Sequence, residues 1–160
     1  NDSSYSPLAA GKLIRYAAQF EALRDRSDAY LARTGSRPQA LLLPLGPLAE
    51  HNIRTTFASN LLASGGIEAV SPGTVDADGV AKAVTDAGST AVAVLCGTDT
   101  RYGTEASAVV EAAHTAGVSH VCLAGPPKAV ADADHQPDEF LTAKINAVEA
   151  LSHLLDRLGA

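Results

Sequence analysis

The sequence contains no methionine and no tryptophan, and aromatic residues make up only 4% of its 160 residues. A core with so few large rings must be built mainly from alanine, valine, leucine and isoleucine, which suit close packing of helices on a sheet. With 46% hydrophobic residues, the chain can still bury a core of ordinary size for one domain. The composition therefore favours a single α/β domain.

Positive charge is also scarce, because 12 lysine and arginine residues stand against 18 acidic ones, which gives a formal net charge of -6. This balance disfavours binding to nucleic acid or to an anionic membrane. There is no run of about 18 apolar residues that could span a bilayer. The first residues also lack the basic start and long apolar stretch of a signal peptide. We therefore expect a cytoplasmic protein.

Only two cysteines are present, Cys96 and Cys122, and they do not form a Cys-x-x-Cys pair. Each lies in an apolar run, which predicts buried free thiols rather than a disulfide or a zinc site. Because methionine is absent and the first residue is Asn1, we expect the chain to be a fragment or a processed form of a longer protein.

Several familiar binding motifs are missing from the loops. The turn at Gly46 is not the Gly-x-Gly-x-x-Gly turn of dinucleotide-binding folds, and no suitably placed acidic residue follows it. No glycine-lysine-hydroxyl triplet occurs, which excludes a P-loop. The acidic residues of a phosphoacceptor receiver domain are also missing, since the first and third apolar runs end in "PLG" and "LCG". These nucleotide and phosphate sites are therefore disfavoured.

What the sequence does contain, after Pro38, is an alternation of short apolar runs with helical patterns. The nearly continuous apolar runs predict a parallel sheet, and glycines follow the helical patterns where those helices should end. We therefore predict a doubly wound parallel sheet of five strands with helices on both faces. The predicted strands are residues 40–45, 67–70, 90–96, 120–125 and 139–141. The predicted helices are residues 50–64, 76–87, 104–116, 127–132 and 146–158.

The chain divides into residues 1–38, a lead-in with a linker helix, and residues 39–160, the α/β domain. Residues 1–11 are mostly small and polar, which predicts a mobile lead-in. The helix is predicted from Tyr16 to Gly35 because apolar residues recur three or four apart. Its stripe should be less buried than that of a core helix, since part of its partner would lie outside this chain. The stripe comprises Tyr16, Phe20, Leu23 and Leu31.

Ligands of an open parallel sheet bind beyond the carboxyl ends of its strands, so the loop after the third strand is a candidate site. Thr98 and Thr100 could contact the polar edge of a ligand, but hydroxyl residues before a helix more often cap it, and capping is favoured. Arg101 and Tyr102 could form an exposed pair at an interface, although a solvated surface is the simpler interpretation.

The histidines provide no evident catalytic or metal site. No histidine, serine and acid are spaced so as to nominate a triad. None of the later histidines stands with a second ligand at a zinc spacing, and "DADHQPDE" is interpreted as a solvated acidic loop. We therefore predict no catalytic residue and no metal site. The histidines considered were His114, His120, His135 and His153.

Five segments, in the right order, resemble the carboxy-terminal part of the small subunit of bacterial methylmalonyl-CoA mutases. The resemblance spans about Tyr16 to Gly159 and is distributed, with no single diagnostic motif. The segments are "YAAQFEALRDRSD", "ALLLPLG", "VAVLCGTDTRYGTEA", "VCLAGPPK" and "AVEALSHLLDRLG".

The resemblance implies a flavodoxin-like domain of the cobalamin-binding type, linked in the full chain to a (β/α)8 barrel that takes the acyl-CoA. It also implies association with a large catalytic subunit that carries adenosylcobalamin and interconverts methylmalonyl-CoA and succinyl-CoA. In that large subunit, the loop after the first strand carries Asp-x-His-x-x-Gly. Its histidine binds cobalt, and its aspartate orients that histidine.

This chain departs from the cobalt-binding motif. Aligned on Gly46, the aspartate, histidine and glycine positions hold Leu48, Glu50 and Ile53. His51 lies one place late, and measured from His51 the aspartate and glycine positions hold Ala49 and Arg54. The proline pair after Gly125 would also resist the close approach of a nucleotide tail.

We therefore expect the domain to bind no cofactor and to act through association with the large subunit. The residual candidates for cofactor contact are His51, Gly46 and Thr98. His51 is predicted to lie in the first helical turn, on the surface or in an interface, so that His51→Ala would change stability by no more than about 0.5 kcal/mol. Two alternatives stay open: a cobalamin-binding domain with His51 as lower cobalt ligand, and a flavodoxin-like module for another small molecule.

Overall fold

The computed structural model describes residues 7–160 and contains one sheet of five parallel strands in the order β2-β1-β3-β4-β5. This order is that of the flavodoxin-like doubly wound fold and confirms the predicted fold class. The strands are β1 (Gln39–Pro44), β2 (Glu68–Val70), β3 (Val92–Cys96), β4 (His120–Ala124) and β5 (Glu139–Leu141). The helices are α1 (Pro7–Thr34), α2 (Leu48–Ser64), α3 (Val80–Asp86), α4 (Asp99–Arg101), α5 (Ser107–Thr115) and α6 (Ala147–Leu158).

The three central strands supply most of the core. Every residue of β3 and β4 is buried, as is all of β1 except its first residue, because both faces of these strands are covered by helices. Alternate side chains divide between two clusters. One packs against α3 and α5, and the other against α1, α2 and α6. The near-continuous apolar runs were therefore a sound basis for predicting a parallel sheet.

Of the three helices predicted within residues 76–132, two are shorter than expected and one is longer. The stretches predicted at 76–87 and 127–132 begin with or consist of single 3-10 turns, Ala77–Gly79 and Pro127–Val130. The helical region predicted at 104–116 begins earlier, at α4, and continues through a π-helical segment, Tyr102–Ala106, into α5. The added turn changes which of its side chains point inward.

Pro44 is the last residue of β1, as predicted, although β1 is a central strand. It pairs with Cys96, and the missing N–H falls where the ladder ends. The carbonyl of Pro44 accepts a hydrogen bond from the Val75 N–H at 2.9 Å, and the Leu45 N–H donates to the Cys96 carbonyl at 2.8 Å. The strand exit is thereby held at the edge where ligands of this fold bind.

The first helix is longer than the sequence predicted. α1 begins at Pro7, so residues 7–11 of the predicted mobile lead-in are helical, and residues 1–6 lie outside the described part of the chain. Proline is favoured in the first helical turn because its fixed φ suits a helix and its missing N–H would be unpaired there anyway. Within residues 7–160, no helix has the length and apolar character needed to cross a membrane.

α1 is buried on the domain only in its second half, where it packs against α6. Ser27 is fully buried there, and its hydroxyl donates to the Gly66 carbonyl at 2.6 Å. Leu23 is only 4% exposed, whereas Tyr16 in the same stripe is 49% exposed. The predicted incomplete burial of the stripe is confirmed for Tyr16 and wrong for Leu23. Earlier in α1, three large apolar side chains are also exposed: Leu8, Leu13 and Ile14.

Candidate functional site

The candidate site lies where the strand order reverses, between the loops that follow β1 and β3. In open α/β sheets this crevice beyond the carboxyl ends of the strands is where ligands bind. Gly46 begins the loop after β1, and Gly97 begins the loop after β3. We call the space between these two loops the crevice.

An ion pair spans the crevice. Glu50 in the first turn of α2 accepts two hydrogen bonds from Arg101, at 2.8 Å from Nε and 3.1 Å from Nη2. Arg101 also donates from Nη1 to Glu105 at 3.0 Å. The hydrogen bond from Arg101 lowers the pKa of Glu50, and the bonds to Glu50 and Glu105 raise the pKa of Arg101. Both groups therefore stay charged, and the pair is a bidentate one.

The ion pair also occupies the space above Gly46. A Cβ built at Gly46 would lie 2.7 Å from Arg101 Nε and 3.2 Å from Glu50 Oε1. Gly46, a residual candidate for cofactor contact, thus has the protein's own guanidinium against it. Sequence reasoning missed this pair. Opposite charges in the first helical turns after two adjacent strands could have predicted it.

Thr98 caps the helix that follows it. Its hydroxyl oxygen accepts a hydrogen bond from the Arg101 N–H at 3.1 Å, which confirms the capping interpretation. The cap also orients Arg101 at the start of the helical region. The contact of Thr98 with a ligand stays a prediction.

Tyr102 is a core residue, so both interpretations, a solvated surface and an exposed pair with Arg101 at an interface, are wrong for it. It is 1% exposed. Its hydroxyl accepts from the Gly97 N–H at 2.9 Å, donates to the Ala124 carbonyl at 2.7 Å and lies 3.2 Å from the Leu95 carbonyl. Burial raises the pKa of Tyr102 above its ordinary value. The neutral phenol joins the ends of β3 and β4.

Arg54 covers the other side of the same tyrosine. Its guanidinium lies 5.6 Å from the centre of the Tyr102 ring, donates to the Gly97 carbonyl at 2.8 Å and pairs with Asp99 at 3.1 Å. A Cβ at Gly125 would lie 3.0 Å from both Arg54 Nη1 and Tyr102 Cε2. Side chains thus fill the space beside the glycines that follow β3 and β4.

His51 lies in the first turn of α2, as predicted, but it is buried rather than exposed. Only 6% of it is accessible, and its Nε2 lies 3.4 Å from the Thr74 hydroxyl. That hydroxyl donates to the Gly46 carbonyl at 2.8 Å, so its oxygen can only accept from an Nε2–H. His51 Nδ1 is then an acceptor, and it is buried without a hydrogen-bond partner among the described residues.

The burial of His51 changes the expected effect of its removal. We now expect His51→Ala to destabilise the chain by about 1–3 kcal/mol, because truncating a buried side chain leaves a cavity. Urea unfolding followed by circular dichroism measures this difference. The matched control is His153→Ala on α6, an exposed histidine whose replacement should change stability by less than about 0.5 kcal/mol. Equal effects of the two substitutions would contradict the burial argument.

The beginning of α2 has its apolar side chains on the outside. Leu48 is 67% exposed and Ile53 is 79% exposed. Ile53 and Phe57 line a mostly apolar groove of about 480 Å³, whose opposite wall includes Pro126 and Ala143. Exposed apolar surface next to a groove is typical of a contact surface for another protein segment. We call Leu48, Ile53 and this groove the apolar edge.

Two histidines of α5 and the loop before β5, His114 and His135, form pairs with acidic residues. His114 Nε2 lies 2.8 Å from Asp138 Oδ2, and His135 Nε2 lies 3.0 Å from Glu111 Oε2. The Val121 N–H also donates to Asp138, which contributes to the lowered pKa of Asp138 against the opposing effect of burial. The segment interpreted as a solvated acidic loop is thus tied to α5 and β4 by these pairs.

Both cysteines are buried free thiols, which confirms that prediction. Burial raises the pKa of Cys96 to about 12 and also raises the pKa of Cys122. Neither is therefore activated as a nucleophile. Cys122 lies close to His120 and Glu139, an arrangement that no spacing in the sequence indicated.

Comparison with known proteins gives a consistent set of relatives, although no family model matches the chain. A Mycobacterium bovis protein named "Probable methylmalonyl-CoA mutase small subunit" is 74% identical over 146 residues, which are 91% of this chain and 24% of that protein. The methylmalonyl-CoA mutase small subunits of Streptomyces virginiae and Porphyromonas gingivalis are 44% and 30% identical. Each of these matches covers 91% of this chain and 23% of the relative. The chain therefore spans about a quarter of the length of the curated relatives it matches.

Proposed function

We propose that this chain, a homologue of about one quarter of the methylmalonyl-CoA mutase small subunit, is a non-catalytic domain that supports association with the large subunit. The large subunit would carry adenosylcobalamin and interconvert methylmalonyl-CoA and succinyl-CoA in the cytoplasm. The side chains of this domain would take no part in that isomerisation. Its contribution would be a folded surface.

The ion pair across the crevice is the observation that carries the proposal. Glu50 and Arg101 bridge it with a bidentate ion pair, and Tyr102 lies buried beneath the adjacent strand ends. A ligand between the two loops would have to displace this pair, after which Arg101 would keep Glu105 and Glu50 would lose both of its hydrogen bonds. The position that binds ligands in this fold class is therefore used for internal contacts.

The residues around His51 do not fit cobalamin. A cobalt ligand needs an unprotonated ring nitrogen that faces the metal, and a partner on its other nitrogen that fixes the ring. The contact with Thr74 favours a proton on Nε2 and leaves Nδ1 as the free nitrogen, but Nδ1 is buried, so a metal could reach it only if the groups that cover it moved away. His51 is also buried, and Arg101 lies against Gly46, where a macrocycle would approach.

We expect no saturable binding of cobalamin to the purified chain. Hydroxocobalamin or adenosylcobalamin, titrated at micromolar concentration, should keep the visible spectrum of the free cofactor. His51→Ala serves as the control and should give the same spectrum. A shift to a histidine-ligated spectrum with the wild-type chain, absent in His51→Ala, would make the domain a cobalamin carrier. Saturable binding that survives His51→Ala would instead support a small-molecule module.

The apolar edge supports association with protein. Two large apolar side chains near the start of α2, Leu48 and Ile53, are exposed, and Ile53 lines the groove. Most of the residues that line the groove are uncharged. Mostly apolar surfaces of this kind form the centres of stable interfaces.

Association is tested by sedimentation velocity of the chain mixed with a purified methylmalonyl-CoA mutase large subunit. We expect a complex that Ile53→Asp weakens by about tenfold or more, the effect of losing a central apolar contact. Asn52→Asp places the same charge on the neighbouring exposed position and should leave binding unchanged. If the wild-type chain shows no complex, the association is refuted. If both substitutions weaken it equally, added charge rather than the lost apolar contact is responsible.

A further inference from the structure

A second cluster of chemically capable side chains lies at the opposite end of the sheet from the crevice. His120 is the first residue of β4, and Cys122 lies two residues later, so both side chains project from the same face of the strand. Glu139, the first residue of β5, is the register partner of Cys122 in the parallel pairing. The topology thus brings together three side chains from two neighbouring strands.

The distances between these groups are short. His120 Nε2 lies 2.8 Å from Glu139 Oε1, and the three ligand atoms, including the sulfur of Cys122, all lie within 4.8 Å of one another. His120 is 6% exposed and Cys122 is fully buried. The side chain of Glu139 is 27% exposed, and it can therefore reorient and admit an ion from solvent.

The three groups form a donor set that suits zinc. Imidazole nitrogen, thiolate sulfur and carboxylate oxygen bind Zn²⁺ at about 2.0–2.3 Å, which places tetrahedral ligand atoms roughly 3.5 Å apart. To reach that spacing, the His120–Glu139 contact of 2.8 Å must open by about 0.7 Å, and the sulfur must approach by up to about 1.3 Å. The fourth position would be left to water, as in zinc sites with three protein ligands.

We propose that His120, Cys122 and Glu139 bind one divalent transition-metal ion, of which Zn²⁺ fits the donor set best. The thiolate favours zinc over magnesium or calcium, which prefer oxygen ligands. On binding, the ion displaces the thiol proton of Cys122, which is released to solvent, and the charges of the resulting thiolate and of Glu139 together neutralise the ion. The site tethers the edge strand β5 to β4, and it is separate from the crevice and from the association proposed above.

Sequence reasoning predicted no metal site because it examined spacing along the chain. His-x-Cys on a strand is not a familiar zinc motif, and the third ligand lies 17 residues beyond Cys122. Only the pairing of β4 with β5 brings that ligand close. A site shared between strands is therefore invisible to a search for local motifs.

Cobalt and zinc binding to the purified chain test the proposal. After incubation with Zn²⁺ and dialysis, we expect elemental analysis to find one equivalent of zinc per chain. Co²⁺ in place of zinc should give a thiolate-to-cobalt charge-transfer band in the near ultraviolet. Glu139→Gln and His120→Gln should weaken metal binding by at least about tenfold, since changes to groups that only orient a ligand already cost 10–100-fold.

The matched controls are Cys96→Ser and His114→Gln. Cys96 is the other buried thiol, and His114 is a histidine paired with Asp138 rather than Glu139. Both variants should keep the zinc and the cobalt band. Cys122→Ser should abolish the band, and circular dichroism of Glu139→Gln shows whether the fold persists. A wild-type chain that retains no zinc and gives no band refutes the site, as does undiminished binding by folded Glu139→Gln and His120→Gln.

Discussion

Replacing Gly66 with alanine is expected to lower the free energy of unfolding by about 3–5 kcal/mol, from left-handed backbone strain and steric overlap together. Gly66 follows α2 with φ at 77°. A Cβ at this position would lie 2.4 Å from Ser27 Cβ and 2.7 Å from Ser27 Oγ. The second half of α1 would have to move away, and the hydrogen bond from Ser27 to the Gly66 carbonyl would be lost.

The midpoint and slope of urea unfolding measure this loss, and a matched glycine separates its two causes. Gly88 also follows a helix with positive φ, at 81°, but a Cβ there would meet no atom within 4 Å. Gly88→Ala should therefore cost only the backbone term of about 1–2 kcal/mol. If Gly66→Ala costs no more than Gly88→Ala, α1 is not packed against this turn as described.

Much of the fold could be predicted from the sequence, because a buried parallel sheet leaves a strong periodic signal. The runs around Leu42, Val94 and Leu123 are apolar on both faces, and the first two are followed by helical patterns that end near a glycine. Pro44 could be placed at a strand end from its missing N–H alone. Helix boundaries were less accessible, since Thr98 starts the helical region before the first periodic residue.

Which side chains of the candidate site are buried and which are exposed could not be predicted from the sequence. The π-helical segment that begins at Tyr102 inserts an extra residue into the helical turn, and this rotates the side chains relative to a regular helix. At the start of α2 the polar His51 lies inside, while the apolar Leu48 and Ile53 lie outside. The usual assumption that apolar residues are buried and polar residues exposed therefore fails at that turn.

This arrangement of polar and apolar side chains bears on both parts of the proposed function, the crevice without a ligand and the association with another protein. Inward polar groups at the carboxyl edge, Glu50 and Arg101 among them, contact each other rather than a ligand. Outward apolar groups beside them, Leu48 and Ile53, have no cover within residues 7–160. Exposed apolar side chains beside a groove are typical of a surface that contacts another protein segment. The side chains therefore favour a protein contact at this edge.

Replacing Tyr102 with phenylalanine is expected to destabilise the chain by about 2–4 kcal/mol, since it leaves two buried backbone groups without their partner. The Gly97 N–H would lose its acceptor, and the Ala124 carbonyl would lose its donor. The ring itself would remain, so no large cavity forms. The matched control is Tyr30→Phe on α1, where the ring lies beside Arg33 and no hydrogen bond of the hydroxyl is found within residues 7–160. If both variants unfold at the same urea concentration, the hydroxyl of Tyr102 does not join the strand ends.

The same variant should alter how stability depends on alkaline pH. In the unfolded chain a tyrosine ionises near pH 10, whereas burial keeps the pKa of Tyr102 above that value in the folded chain. The folded state then holds a proton that the unfolded state has lost, so stability falls as pH rises beyond about 10. Tyr102→Phe has no such proton to lose. The difference in free energy of unfolding between the wild type and Tyr102→Phe should therefore shrink by about 1.4 kcal/mol per pH unit above about pH 10. Cys96, whose pKa burial raises to about 12, contributes equally to both proteins and cancels in the comparison. Urea unfolding of both proteins at about pH 8 and about pH 11 gives the difference in free energy of unfolding at each pH. If this difference is the same at both pH values, the Tyr102 hydroxyl ionises as easily in the folded chain as in the unfolded one.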